Sequence, residues 1–130
     1  MLPKGQQDRQ TVERFWQAMG ANDFPAAAKC LDAEYVLEWP QSGERIRGRE
    51  NFVAVNVNYP AAGPWRVTIH RLIADAGGVA SEVTVTDGVI TGRAITFFEL
   101  RDSLIVRQTE YWPDPMAAAP WRAQWVERFP

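Results

Sequence analysis

The feature that most constrains this chain is its second half. From Trp65 to Trp112 it reads "WRVTIHRLIADAGGVASEVTVTDGVITGRAITFFELRDSLIVRQTEYW", three or four β-rich runs separated by "AGG", "DG" and "RDS". Each separator is a tight-turn signal, so the spacing predicts a meander of long antiparallel strands.

The first half has a different period. Val12, Phe15, Trp16 and Met19 form one helical stripe within Asp8–Asn22. "FPAAAKCL" reads as a short second helix with Pro25 in its first turn, where a missing N–H costs nothing. Glu34 to Trp39 is β-rich and stops at Pro40, which suits a strand. After the turn "QSGE" comes the extended piece "RIRG". The pattern of "RENFVAVNVNYP" allows helix or strand; its Gly48 start and Pro60 stop favour a helix. The closing "PWRAQWVERFP" reads as a short amphipathic helix or an ordered tail laid on the body. Helices followed by a curled antiparallel sheet predict an α+β fold, with the helices packed in the concave face of a strongly curved sheet. The 130 residues suit one domain, with a core from about residue 8 to 112 and a tail over 113–130.

A net charge of -2 leaves no basic footprint, which disfavours nucleic acid and a membrane surface. Cys30 is the sole cysteine and His70 the sole histidine, and no CxxC or HExxH motif occurs, so neither a metal nor any other cofactor is expected. With no signal-peptide pattern or apolar run of membrane length, the expected location is the cytoplasm. Cys30 reads as a small buried hydrophobe, and Asp32 and Glu34 as turn or cap acceptors. Six Trp, six Phe and three Tyr supply core volume, and can also wall a pocket for a small hydrophobic molecule.

The phrases "VERFWQAMGANDFPAAAKCLDAEYVLEWP", "SGERIRGRENF", "SEVTVTDG" and "ITFFELRDSLIVRQTEYW" resemble the nuclear transport factor 2-like superfamily, in its polyketide-cyclase-like (SnoaL-like) branch. The resemblance runs from about Gln10 to Trp112 and implies a cone-shaped half barrel. Because the superfamily spans isomerases, hydrolases, cyclases and non-catalytic domains, activity must be argued from the site. Steroid isomerase chemistry in this fold needs a carboxylate base and a protonated acid, and the resemblance puts Trp39 and Thr96 at those positions. An indole cannot take a proton from carbon, and threonine is not an acid, so that chemistry is disfavoured. Nor does the chain supply the two pocket-facing aspartates an epoxide hydrolase requires.

The resemblance turns Trp112 into the pocket, and period two then places Glu110 and Gln108 on the same face, with Tyr111 and Thr109 on the other. The same parity puts Ala94, Thr96, Phe98 and Leu100 inward, together with Glu82, Thr84 and Thr86. Glu82 and Glu110 become the candidate catalytic pair. Trp16, Trp39, His70, Thr84, Thr96, Phe98, Gln108 and Trp112 are the candidate substrate-binding residues. The alternative is that the carboxylates are structural, held by Arg71, Arg93 or Arg122. A Gly77–Gly78 turn would pair Ile73 with Glu82 and send His70 to the opposite face, and a bulge would reverse that. Glu44 reads as a turn charge near the rim. Val83, Val85, Ile95 and Phe97 are expected on an outer apolar face, through which the resemblance implies a homodimer. Two functions stand open: a cofactor-independent lyase, isomerase or cyclase acting on an apolar, ring-containing substrate, and a non-catalytic hydrophobic-ligand or accessory domain.

Overall fold

A computed structural model describes residues 2–130. The elements are α1 (Lys4–Gly20), α2 (Phe24–Ala28), β1 (Leu31–Trp39), β2 (Glu44–Arg47), α3 (Arg49–Asn58), β3 (Arg66–Asp75), β4 (Gly78–Thr86), β5 (Thr91–Arg101), β6 (Leu104–Tyr111) and a 3₁₀ turn over Pro120–Trp125. The six strands form one mixed sheet, not closed, in the order β2-β1-β6-β5-β4-β3. Only the β1–β6 pairing is parallel. The expected α+β class and the helical reading of the third segment both hold.

Local chemistry explains the connections. Asp23 caps α2 by accepting the Ala26 N–H at 3.1 Å, and Pro25 sits in its first turn. Asp102 and Ser103 both have positive φ, at 53° and 62°, between the paired residues Arg101 and Leu104. That is the hairpin turn whose twist matches the flanking strands. β1, β3 and β6 each carry a bulge, which bends the strand locally.

The helices lie on one face, where α1 packs on β3, β4 and β6 while α3 packs on β1 and β2. Phe15, Trp16 and Phe98 meet edge to face, and Phe52 bridges Phe15 to Tyr35. Such tilted contacts align ring edges with ring faces and add to burial. No helix among the described residues is long and apolar enough to cross a membrane.

Two expectations fail. The tail forms a short helical turn but does not lay its aromatics on the body: Trp121, Trp125 and Phe129 are exposed. β4 also presents the opposite face from the one expected. The "DG" connection is a four-residue loop pairing Thr86 with Thr91, which puts Val83 opposite Ala94 and Glu82 opposite Ile95. Val83 and Val85 therefore face the helices, and Glu82, Thr84 and Thr86 share the outer face with Ile95 and Phe97.

Candidate functional site

The inner face and helices enclose a cavity of about 690 Å³. α1 contributes Phe15, Trp16 and Met19, and α3 contributes Phe52, Val55 and Asn56. From the sheet come Leu37, Trp39, Val67, Val85, Glu110 and, just beyond β6, Trp112. Exposed residues at Gln41, Ser42, Glu44, Tyr59, Ile90 and Asp114 mark its open rim.

Among the described residues, Glu110 is the only buried ionisable side chain on this wall. The indole N–H of Trp39 donates to Oε1 at 3.0 Å, that of Trp112 donates to the same oxygen at 3.1 Å, and the Thr96 hydroxyl donates to Oε2 at 2.8 Å. The register creates this cluster. Glu38 pairs with Thr109 across the parallel β1–β6 contact, which brings Trp39 beside Glu110, while Thr96 is Glu110's direct partner on β5. Burial pushes the Glu110 carboxyl above its ordinary pKa, and the three hydrogen bonds, led by Trp39, pull partway back. Among the described residues, no arginine or lysine neutralises it.

The two oxygens are not equivalent. An indole nitrogen can only donate, so Oε1 spends its accepting capacity on Trp39 and Trp112. Oε2 has one partner and keeps a lone pair. Any proton the carboxyl gains belongs on Oε2.

The walls around Glu110 are held from behind. Gly92 lies under Trp112: a Cβ there would sit 3.2 Å from Trp112 Cε3. Gln41 clasps the Trp112 backbone, donating to its carbonyl at 3.0 Å and accepting its N–H. At the rim, Asn22 (φ 58°) exchanges two hydrogen bonds with the Trp65 backbone, at 2.9 and 2.8 Å. Asp87 accepts the N–H groups of Ala62, Val89 and Ile90, which hold its carboxyl below the ordinary range, with the Ala62 bond foremost. The Tyr59–Trp65 loop is thus tied at Trp65 to α1's end and at Ala62 to the β4–β5 turn.

Of the expected residues, Trp16, Trp39, Glu110 and Trp112 line the cavity, with Thr96 directly behind Glu110. Trp16 also donates its indole N–H to Ser81 at 3.1 Å. Phe98 and Gln108 face inward but lie deeper, in the core. There the Tyr35 hydroxyl donates to Gln108 Oε1 at 2.6 Å, and burial together with the Glu110 charge holds the Tyr35 pKa well above normal.

Three candidates are misplaced. Glu82 lies on the outer face, bonded to Arg71 at 2.8 Å and Arg93 at 3.0 Å, which depress its pKa, the Arg71 bond most. It cannot share a chamber with Glu110. His70 is the extra residue of the β3 bulge and meets Thr84 Oγ1 at 2.6 Å, so both lie on the exposed outer face. The β3–β4 turn is Ala76–Gly77, pairing Asp75 with Gly78 and Ile73 with Ala80. Sequence reasoning missed Tyr35, although period two from Trp39 reaches it. It also missed Phe52, Val55 and Asn56, which are one stripe of the expected third helix.

The profile of the SnoaL-like domain matches residues 12–108. A search of curated protein sequences returned no match. Among solved structures, the chain is similar to a protein from Kribbella flavida, assigned provisionally as a ketosteroid isomerase (31% identity, TM-score 0.91, covering 100% of this chain and 95% of that one). It is also similar to a nuclear transport factor 2-like protein of unknown function from Burkholderia xenovorans, at 30% identity and TM-score 0.79 over 96% of this chain and 97% of that one. A third, from a Silicibacter species and assigned provisionally as a polyketide cyclase, shares 26% identity with TM-score 0.68 over 84% of this chain and 90% of that one. With three quarters of its length matched and its helices and mixed sheet superposing on those structures, the chain belongs to the SnoaL-like domain family.

Proposed function

We propose that the cavity binds a small, largely apolar molecule and that Glu110 moves a proton on it, as an isomerase, lyase or cyclase working without a cofactor. The observation that carries this reading is a buried carboxylate with no cationic partner on the wall of a 690 Å³ aromatic cavity. Its carboxylate lies between Trp39 and Thr96, the two positions where the resemblance places an isomerase's base and acid. One carboxyl group on β6 takes over from both.

In the simplest step, a C–H bond α to a ligand carbonyl breaks and its proton passes to Oε2. The electron pair moves into an enolate, and the two indole N–H groups hold the carboxyl in place. The same proton then returns to a different carbon in an isomerisation, or to the new alkoxide after the enolate closes a ring. Burial suits this work because it raises the proton affinity of the base towards the working pH. The family membership and the polyketide-cyclase-like neighbours support a cyclase or isomerase.

A second reading also has support: three hydrogen bonds, from the ends of β1 and β6 and the middle of β5, equally make Glu110 a structural clasp in a non-catalytic binding domain. Deuterium exchange separates the two. Small cyclic ketones incubated in heavy water with the protein should lose α-hydrogen signal by NMR, and Glu110→Gln should slow the loss by at least about 100-fold. Equal exchange in both proteins, or none in either, would leave the binding reading standing. The outer face, where Ile73, Phe97 and Tyr111 are exposed, is the surface we propose for a homodimer.

A further inference from the structure

The cavity wall carries charge of one sign only. Glu110 lies at depth, with Glu44 and Asp114 at the rim, and no Lys, Arg or His among the described residues lines the cavity. None of the salt bridges among the described residues involves a lining side chain, although arginines neutralise acids over the outer face. The cavity acids have been left without counter-ions. The same wall presents Trp39, Trp65, Trp112 and Tyr59, whose rings carry negative charge on their faces.

We propose that this cavity selects a ligand with a positively charged nitrogen on an apolar body, a tertiary or quaternary amine, with Glu110 as its counter-ion and the indole rings as its walls. The inference rests on this cavity being the ligand site and adds the class of molecule that enters it. A cation enclosed by aromatic rings gains from their quadrupoles, and an ammonium covered with methyl groups loses little hydration on entry. A primary ammonium would need three acceptors, whereas Glu110 has one free lone pair and most of the wall is apolar. An anion would meet three carboxylates and no compensating cation. Glu44 and Asp114 would also draw cations to the mouth, an effect that salt screens.

The test is a matched set of probes of nearly equal shape: meta-hydroxyphenyl trimethylammonium, the neutral meta-tert-butylphenol and meta-hydroxybenzenesulfonate. Binding is read at neutral pH from the indole N–H resonances. The full chain should bind the cation at least about tenfold more tightly than the neutral isostere, and the sulfonate more weakly than either. In Glu110→Gln the cation's advantage should shrink to about twofold or less, and in Glu44→Gln/Asp114→Asn it should fall severalfold and lose its salt dependence. A cation that binds no better than its isostere, an advantage untouched by Glu110→Gln, or failure of all three probes to bind overturns the proposal. The ketone exchange assay judges proton transfer separately: exchange without cation preference would leave the catalytic reading intact with a neutral substrate. Cation preference without exchange would leave a binding pocket.

Discussion

Thr96 and Glu110 are direct partners across the β5–β6 ladder, and the threonine hydroxyl donates to the carboxylate's Oε2 at 2.8 Å inside the protein. Thr96→Val keeps the shape and leaves that oxygen without its donor. The expected cost, by urea unfolding, is about 1.5–3 kcal/mol at pH values above the Glu110 midpoint, where the carboxylate is charged. The cost should shrink towards pH values where the carboxyl is protonated. A pH-independent loss would show that the hydroxyl matters for packing only.

Glu110→Gln preserves every contact, since the amide oxygen accepts both indoles and the amide nitrogen can donate to Thr96. The native carboxyl has a raised pKa, so between its unfolded and folded values the native state binds more protons than the unfolded state. Stability from this group therefore falls as pH rises through that window and then levels. Relative to wild type, Glu110→Gln should gain stability with rising pH and be at least as stable on the alkaline side. A variant that is less stable throughout would mean that the charge itself holds the fold.

Gly92 allows the Trp112 ring to lie against the strand. In Gly92→Ala the new methyl would meet that ring at 3.2 Å, so the indole must shift. The expected results are an overpacking loss of about 1–3 kcal/mol and a displaced Trp112 indole N–H resonance, with Trp39's less affected. An unmoved Trp112 signal would contradict the geometry.

Glu82, by contrast, should be silent in the cavity. Its pKa is lowered by Arg71 and Arg93, so its small contribution to stability is present at neutral pH and lost as pH falls through the depressed value. Glu82→Gln should leave ligand affinity and any turnover unchanged, with a slight destabilisation that salt reduces. A large loss of either function would reopen its role.

Asn22 ties the rim loop through two hydrogen bonds to Trp65, from a left-handed backbone that glycine tolerates equally. Asn22→Gly isolates the loss of the tether. Ligand dissociation should quicken severalfold while the fold persists, as followed by stopped-flow fluorescence. Unchanged dissociation would show that the loop does not gate the cavity.

How far the sequence alone reached can be traced to register. Parity on β6 and β5 placed Glu110, Gln108, Thr96 and Phe98 correctly because Trp112 and the resemblance set the phase; the two-residue turn alone would pair Thr96 with Thr109, and the extra β6 residue, Val106, gives the pairing with Glu110. It failed on β4: a two-residue "DG" turn would set Glu82 opposite Arg93 and the four-residue loop sets it opposite Ile95, both on the outer face, so the inward reading of Glu82 conflicted with the facing given to β5. His70 was undecidable without the bulge, whose extra residue reverses facing midway along β3. The helical wall was partly legible: Phe52, Val55 and Asn56 share one stripe, but which stripe faces a cavity depends on packing angles that sequence does not encode.

The most direct test of the account is a titration of the Glu110 side-chain carboxyl by carbon-13 NMR, its resonance identified by its absence from Glu110→Gln. The structure predicts a midpoint above the ordinary glutamate value of 4.5, because burial outweighs the three hydrogen bonds. A midpoint at or below that value would show a carboxylate held too firmly in its charged form to serve as the cavity's proton carrier.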